Sequence, residues 1–121
     1  MTLVSVSAEA SNCIAHRGNN HLYLENSHRA IMSAVEVAAD GVEFDVRHTK
    51  DGFPILMHDK DMDRTATHKE DKKCNLKADV SELMLSEILE NCQLKNGEEI
   101  PLLEDVLRDL EPHDLFVFIE L

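Results

Sequence analysis

The sequence predicts an α/β domain built on largely parallel strands, and three observations carry that expectation. Short apolar runs alternate with segments of helical periodicity in the order β-α-β-β, an excursion, then α-α-β. The run Leu115-Phe116-Val117-Phe118-Ile119 is continuously apolar, as a parallel strand covered on both faces would be. Three strand-like segments also carry a matched polar set: His16-Arg17-Gly18, Glu43-Phe44-Asp45 and His58-Asp59.

Each element has its own local reason. Residues 1–11 are small and polar and read as a lead-in, and residues 12–16 as a short strand. Gly18-Asn19-Asn20 is the turn signal of a loop reaching Asn26. Ser27 to Ala39 is expected to be a helix, with Ala30, Ile31, Ala34, Val35 and Ala38 on one face and Asn26 or Ser27 as its cap. Residues 42–47 alternate as a strand, Val42, Phe44 and Val46 facing the core and Glu43, Asp45 and Arg47 the other side. Lys50-Asp51-Gly52 turns the chain into a strand over Pro54–His58. Residues 59–80 are charged and read as an irregular loop, the start of an excursion that reaches residue 100. Ser81 to Asn91 reads as a helix with Leu85, Ile88, Leu89 and Cys92 on its apolar face. Pro101 to Leu110 is another, with Leu103, Val106, Leu107 and Leu110 aligned, and residues 115–121 form the last strand.

A chain of 121 residues with 43% hydrophobic and 30% charged residues is one folded domain at most, not a disordered segment. Its net charge of −12 excludes nucleic acid as a partner and disfavours an anionic membrane surface. No run approaches the ~20 apolar residues of a membrane span, and the N-terminus lacks a basic region followed by an apolar stretch. A soluble, cytoplasmic protein is therefore expected. Cys13, Cys74 and Cys92 are odd in number and lack metal-binding spacing, so reduced thiols are expected, without disulfide or zinc.

The chemistry lies in the strand-end set. Glu43 and Asp45 stand two apart on a strand that is central in the order of elements, so their side chains share a face. Two carboxylates turned inward repel unless a cation compensates them, and carboxylate oxygens suit Mg²⁺, Ca²⁺ or Mn²⁺. Glu120 closes another apolar run and can complete a three-carboxylate site. His16 and His58 each end a strand and can act as an acid–base pair near neutral pH. Arg17 supplies a planar fork suited to phosphate, and Asp59 is placed to orient His58. His21, His28, His48, His68 and His113 lack such neighbours and read as surface residues. Asp59-Lys60-Asp61-Met62-Asp63 with Glu70 has the carboxylate spacing of a calcium loop, but Arg64 stands where that loop needs glycine.

Taken together, His16-Arg17-Gly18, Glu25-Asn26-Ser27, Asp40 to Val46, Thr49 to Pro54, His58-Asp59, Asp63-Arg64-Thr65, Ile100 to Glu104 and Phe118-Ile119-Glu120 resemble the glycerophosphodiester phosphodiesterases. The resemblance is ordered and runs through residues 13–120. It implies a TIM (β/α)8 barrel with its active site at the C-terminal ends of the strands. A whole barrel takes ~250 residues, so this chain is expected to be its N-terminal half. The implied reaction is hydrolysis of a small-molecule phosphodiester to glycerol 3-phosphate and an alcohol, through a cyclic phosphate. The resemblance assigns the divalent cation to Glu43, Asp45 and Glu120, acid–base work to His16 and His58, the phosphate to Arg17, and a supporting role to Glu25. This chain departs from the family in Ser27, where threonine is usual, and in Ala38 or Ala39, where glycine is common. A phospholipase D-like relative of the sphingomyelinase D type is the alternative reading. Another is an inactive half-barrel that assembles with a partner chain or with itself through an open sheet edge.

Overall fold

In the computed structural model, which describes Thr2, Leu3 and residues 12–121, the elements run as follows. Thr2–Leu3 (β1) pairs antiparallel with Asn12–His16 (β2). Then come His28–Glu36 (α1), Gly41–His48 (β3), Pro54–Leu56 (β4) and Ala66–His68 (β5). Leu85–Asn91 (α2), Cys92–Leu94 (β6), Leu103–Leu110 (α3) and Phe116–Glu120 (β7) complete the order. The expected lead-in lies outside the described residues, apart from β1.

β3 is the central strand. It runs parallel to β2 and to β7, and its far end pairs antiparallel with β4 across the Lys50-Asp51-Gly52 turn. Gly41 opens it because a Cβ there would stand 2.8 Å from Ile14 Cδ1 and 2.9 Å from the Phe116 carbonyl oxygen. Alternation then turns Val42, Phe44 and Val46 into the core, where they pack with Ile31 and Ala34 of α1, Val106 and Leu110 of α3, and Leu56. Leu107, expected on that apolar face, is exposed instead. On β7, Leu115 and Val117 join this core while Phe116 and Phe118 are exposed, so the expected cover on both faces is not found among the described residues.

Three helix boundaries differ from expectation, each for a local reason. α1 is capped by Ser27, whose Oγ accepts from Ala30 N at 3.0 Å, but it ends at Glu36 rather than Ala39. There Ala38 adopts a left-handed φ of 55°, its N–H donating to Val35 O and that of Ala39 to Ala34 O. That is the paired closure usually built with glycine at the left-handed position. The helix expected from Ser81 is split: Asp79 and Glu82 cap a single turn over Val80–Glu82, and α2 begins only at Leu85. Buried Leu83 stays extended between them, its carbonyl accepting from Lys50 N at 2.8 Å. α3 begins at Leu103 rather than Pro101 because the Pro101 carbonyl accepts from Leu56 N and Leu102 bridges to Ile55.

The excursion is not an irregular loop. β5 pairs antiparallel with β6, and Met62, Ala66, Cys74, Val80, Leu83, Ile88, Leu94 and Ile100 form a second core against Ile55 and Met57. Its buried apolar residues between 59 and 80 are Met62, Ala66, Cys74 and Val80, spaced among charges, which conceals any period. The cysteine expectation is corrected here too: Cys74 and Cys92, both buried, form a disulfide, and Cys13 is an exposed free thiol. The β5–β6 pairing sets Cys92 opposite His68, and Cys74 N donates to His68 Nδ1, so the two meet through a contact that cannot be read from sequence. Among the described residues no helix is long and apolar enough to cross a membrane.

Two stability predictions follow from these features. Ala38→Gly relieves the left-handed alanine and should raise unfolding stability by about 1 kcal/mol in urea titration. Cys74→Ser opens a loop closed over a separation of 18 residues and should cost about 3 kcal/mol by the same measurement. Reductant should lower the midpoint of the parent and leave that of Cys74→Ser unchanged.

Candidate active site

Strand register builds the site. Parallel pairing sets His16 opposite Glu43 between β2 and β3, and Asp45 opposite Glu120 between β3 and β7. Residues opposite one another project to the same face. Glu43, Asp45 and Glu120 can each offer an oxygen within 4.8 Å of the other two, the one such trio of potential metal ligands among the described residues. His16 Nε2 lies 3.8 Å from Glu43 Oε1. The antiparallel turn returns the chain so that Met57 N donates to Asp45 O, which carries His58 to the same end of the sheet. Asp45, Arg47, His58 and Glu120 line a cleft of about 130 Å³ there.

The chain beyond β2 is bent to serve this face. Arg17 and Gly18 are consecutive left-handed residues, with φ of 55° and 78°. Gly18 has no substitute, since a Cβ would stand 2.5 Å from the Ala30 carbonyl carbon. The bend aims the Arg17 N–H at Glu43 Oε1, at 3.1 Å, and sends its side chain to Glu25 and Asp45. Arg17 Nη1 donates to Glu25 Oε2 at 3.1 Å. Arg17 Nε lies 3.4 Å from Asp45 Oδ2, close enough for an ion pair but without hydrogen-bond geometry, so it is a buried donor lacking an acceptor. A non-glycine residue held in this conformation costs about 1–2 kcal/mol, and such strain collects at functional positions.

Three residues not singled out for the site in the sequence belong to it. Asn26, weighed only as a helix cap, is buried in a left-handed conformation, φ 57°. Its Nδ2 donates to Asp45 Oδ2 and its Oδ1 accepts from Asp45 N, both at 3.1 Å. Arg47 donates from Nε and Nη2 to the His58 carbonyl. Arg64 is the third. It donates from Nη1 and Nη2 to the two oxygens of Glu25, at 2.7 and 2.9 Å, and from Nε to Asp59 Oδ2 at 2.9 Å. Asp59 Oδ1 in turn lies 2.8 Å from His58 Nδ1. Only the motif Asp63-Arg64-Thr65 pointed to Arg64, and nothing in its spacing indicated the partners. The Asp59–Glu70 segment therefore commits its first carboxylate to Arg64 and His58, not to a calcium loop.

Hydrogen bonds from Arg64 hold the Glu25 carboxyl below the usual carboxylate range, against the opposing effect of burial, with Arg17 adding attraction. Arg64, and then His58, hold Asp59 lower still, and the two carboxylates raise the guanidinium further. An ionised Asp59 can only accept, so the His58–Asp59 contact is a donation from Nδ1–H, leaving Nε2 of a neutral ring as the free base. By contrast His21, His48, His68 and His113 are exposed, and His28 pairs with Asp109 at 2.8 Å.

The residues from His16 to Glu120 match the model of the glycerophosphoryl diester phosphodiesterase family, so the match spans the site from its first residue to its last. The chain belongs to this family. It is 36% identical over 110 residues to human glycerophosphodiester phosphodiesterase 1, covering 88% of this chain and 32% of that protein. It is 36% identical over 114 residues to the glycerophosphodiester phosphodiesterase of Caldanaerobacter subterraneus, covering 89% of this chain and 44% of the relative. The crystal structure of a glycerophosphodiester phosphodiesterase from Agrobacterium tumefaciens superposes with a TM-score of 0.75 at 29% identity, covering 89% of this chain and 46% of that one. One from Thermotoga maritima does so at 0.69 and 33% identity, covering 89% and 42%. The chain thus spans less than half the length of these relatives. β2, β3 and β7, with α1 and α3 between them, are part of the family's (β/α)8 barrel, and the site lies toward the C-terminal ends of those strands.

Glu25 and Asp59 bind fewer protons folded than unfolded near and below their ordinary values of 4.5 and 3.8. Their contribution to stability is present above that range and is lost as pH falls through the depressed values. Urea unfolding at about pH 6 and about pH 3 should show this loss, and Glu25→Gln should flatten the difference.

Proposed function

We propose that the full-length protein hydrolyses glycerophosphodiesters to glycerol 3-phosphate and an alcohol. The observation that carries the reading is the register of β3, which gathers three carboxylates, two histidines and an arginine at one end of the sheet. Family membership and the names of the relatives support the substrate class.

Glu43, Asp45 and Glu120 fit a hard divalent cation: they are acceptor-only oxygens, mutually repulsive, and faced by a single guanidinium at Asp45. Mg²⁺ or Ca²⁺ suits this donor set, with Mn²⁺ also compatible. A cation bound there supplies Lewis-acid polarisation of phosphoryl oxygens and offsets their charge. The chain's own residues do the rest. Arg17, anchored by Glu25, presents its remaining donors to the phosphate. One histidine takes the proton from the substrate's glycerol hydroxyl as that oxygen attacks phosphorus. The other protonates the departing alcohol, leaving a cyclic phosphate, and the roles reverse as water opens it. For His58, Nε2 is the reacting nitrogen because Nδ1 is committed to Asp59. The cytoplasmic address expected from sequence sits poorly with Cys74–Cys92, since such bonds persist in oxidising compartments.

Turnover of glycerophosphocholine by the full-length protein tests the proposal. His16→Ala and His58→Ala should each lower kcat by about 10²–10⁴-fold with the fold intact by circular dichroism. Chelation should abolish turnover and a divalent ion restore it. Preference for sphingomyelin, or indifference to chelator, overturns the reading.

A further inference from the structure

We propose that Arg64 is a positioning residue that locks the phosphate-binding and acid–base halves of the site into one relative geometry. The inference rests on the function proposed above. Its ground is a continuous chain of contacts, Arg17–Glu25–Arg64–Asp59–His58, of which Arg64 is the middle link. The two ends come from different parts of the fold. Arg17 follows β2, whereas His58 follows β4 and arrives by the antiparallel turn. Leu24 packs against the core that holds Met57 and Met62, and the polar contacts of Arg64 join the functional side chains of the two loops.

The geometry suits a guanidinium and no other side chain. Arg64 Nη1 and Nη2 meet both oxygens of Glu25, while Nε and Nη2 meet both oxygens of Asp59, at 2.9 and 3.1 Å. Such paired donation fixes the plane of each carboxylate as well as its distance. Lysine keeps the charge but lacks the planar fork, so it cannot hold both planes at once. Glu25 then presents its Oε2 to Arg17, and Asp59 its Oδ1 to His58 Nδ1. Arg64 is half-exposed at 50%, so its two partners, not burial, hold it in place. A residue that touches no reacting atom thereby sets where the phosphate fork and the catalytic imidazole stand relative to each other.

The test uses the full-length protein with glycerophosphocholine, comparing Arg64→Lys and Arg64→Ala with Glu25→Gln and Asp59→Asn. Arg64→Lys should lower kcat by about 10²-fold and raise KM by about tenfold, combining a KM effect seen in Glu25→Gln with a kcat effect seen in Asp59→Asn. Glu25→Gln and Asp59→Asn should be non-additive in the parent and additive in the Arg64→Ala background. A readout independent of turnover is the hydrogen-bonded Nδ1–H proton of His58 in NMR, assigned by its loss in His58→Gln. It should vanish or broaden in Arg64→Lys. Arg64→Lys within twofold of the parent in both constants, or an unchanged His58 signal, overturns the proposal. If the parent does not turn over glycerophosphocholine, the functional reading fails, and the NMR signal alone decides the role of Arg64. If Arg64→Ala does not fold, Arg64→Lys still decides it.

Discussion

Carboxylate crowding at the end of β3 is the constraint to which the surrounding structure answers. Asp45 is buried and Glu43 nearly so, and β7 adds Glu120 directly opposite Asp45. Like charges brought this close, one of them buried, oppose folding unless donors and cations offset them. The compensation is visible in the backbone as much as in side chains. Two left-handed residues after β2 deliver an N–H to Glu43, and a third, Asn26, grips Asp45 at both its amide and its carboxylate. Arg17 adds a half-buried cation. Strain at Arg17 and Asn26 is thus spent where the carboxylates need donors, which is the usual association of strained backbone with a working site.

A second ionic layer surrounds the first. Glu25 and Asp59 lie outside the trio of Glu43, Asp45 and Glu120. They stand behind Arg17 and His58, and Arg64 spans them. Arg17 and His58 therefore each have a carboxylate behind them, and both carboxylates have Arg64. The layer thus sets two guanidiniums among the carboxylates of a chain that is −12 overall. The excursion contributes directly, because its own small core and its disulfide give Arg64 a folded platform instead of a loose loop.

Much of this was legible from residues alone where a period or a strand end marked it. The alternation of Val42, Phe44 and Val46 against Glu43 and Asp45 identified the central strand and its two faces. The apolar runs before His16, His58 and Glu120 identified the ends where chemistry gathers. Where burial depends on single residues far apart in sequence, the pattern was silent. Met62, Ala66, Cys74 and Val80 are separated by charged residues, so the excursion read as a loop and its cysteines as thiols. Asn26 read as a cap because its spacing to the helix is that of a cap, whereas its partner Asp45 lies on another strand.

The sequence by itself determined the α/β class, the strands that carry the polar ends, and which residue types are available for acid–base and cation chemistry. Those follow from local alternation and helical spacing, which depend only on near neighbours along the chain. Tertiary structure alone decided that Asp45 would stand opposite Glu120 and His16 opposite Glu43, that Asn26 would hold Asp45, that Cys74 would meet Cys92, and that Arg64 would bridge Glu25 and Asp59. Each of those is a contact between segments separated by many residues. Their pairing is set by strand register and by packing, which no local pattern encodes.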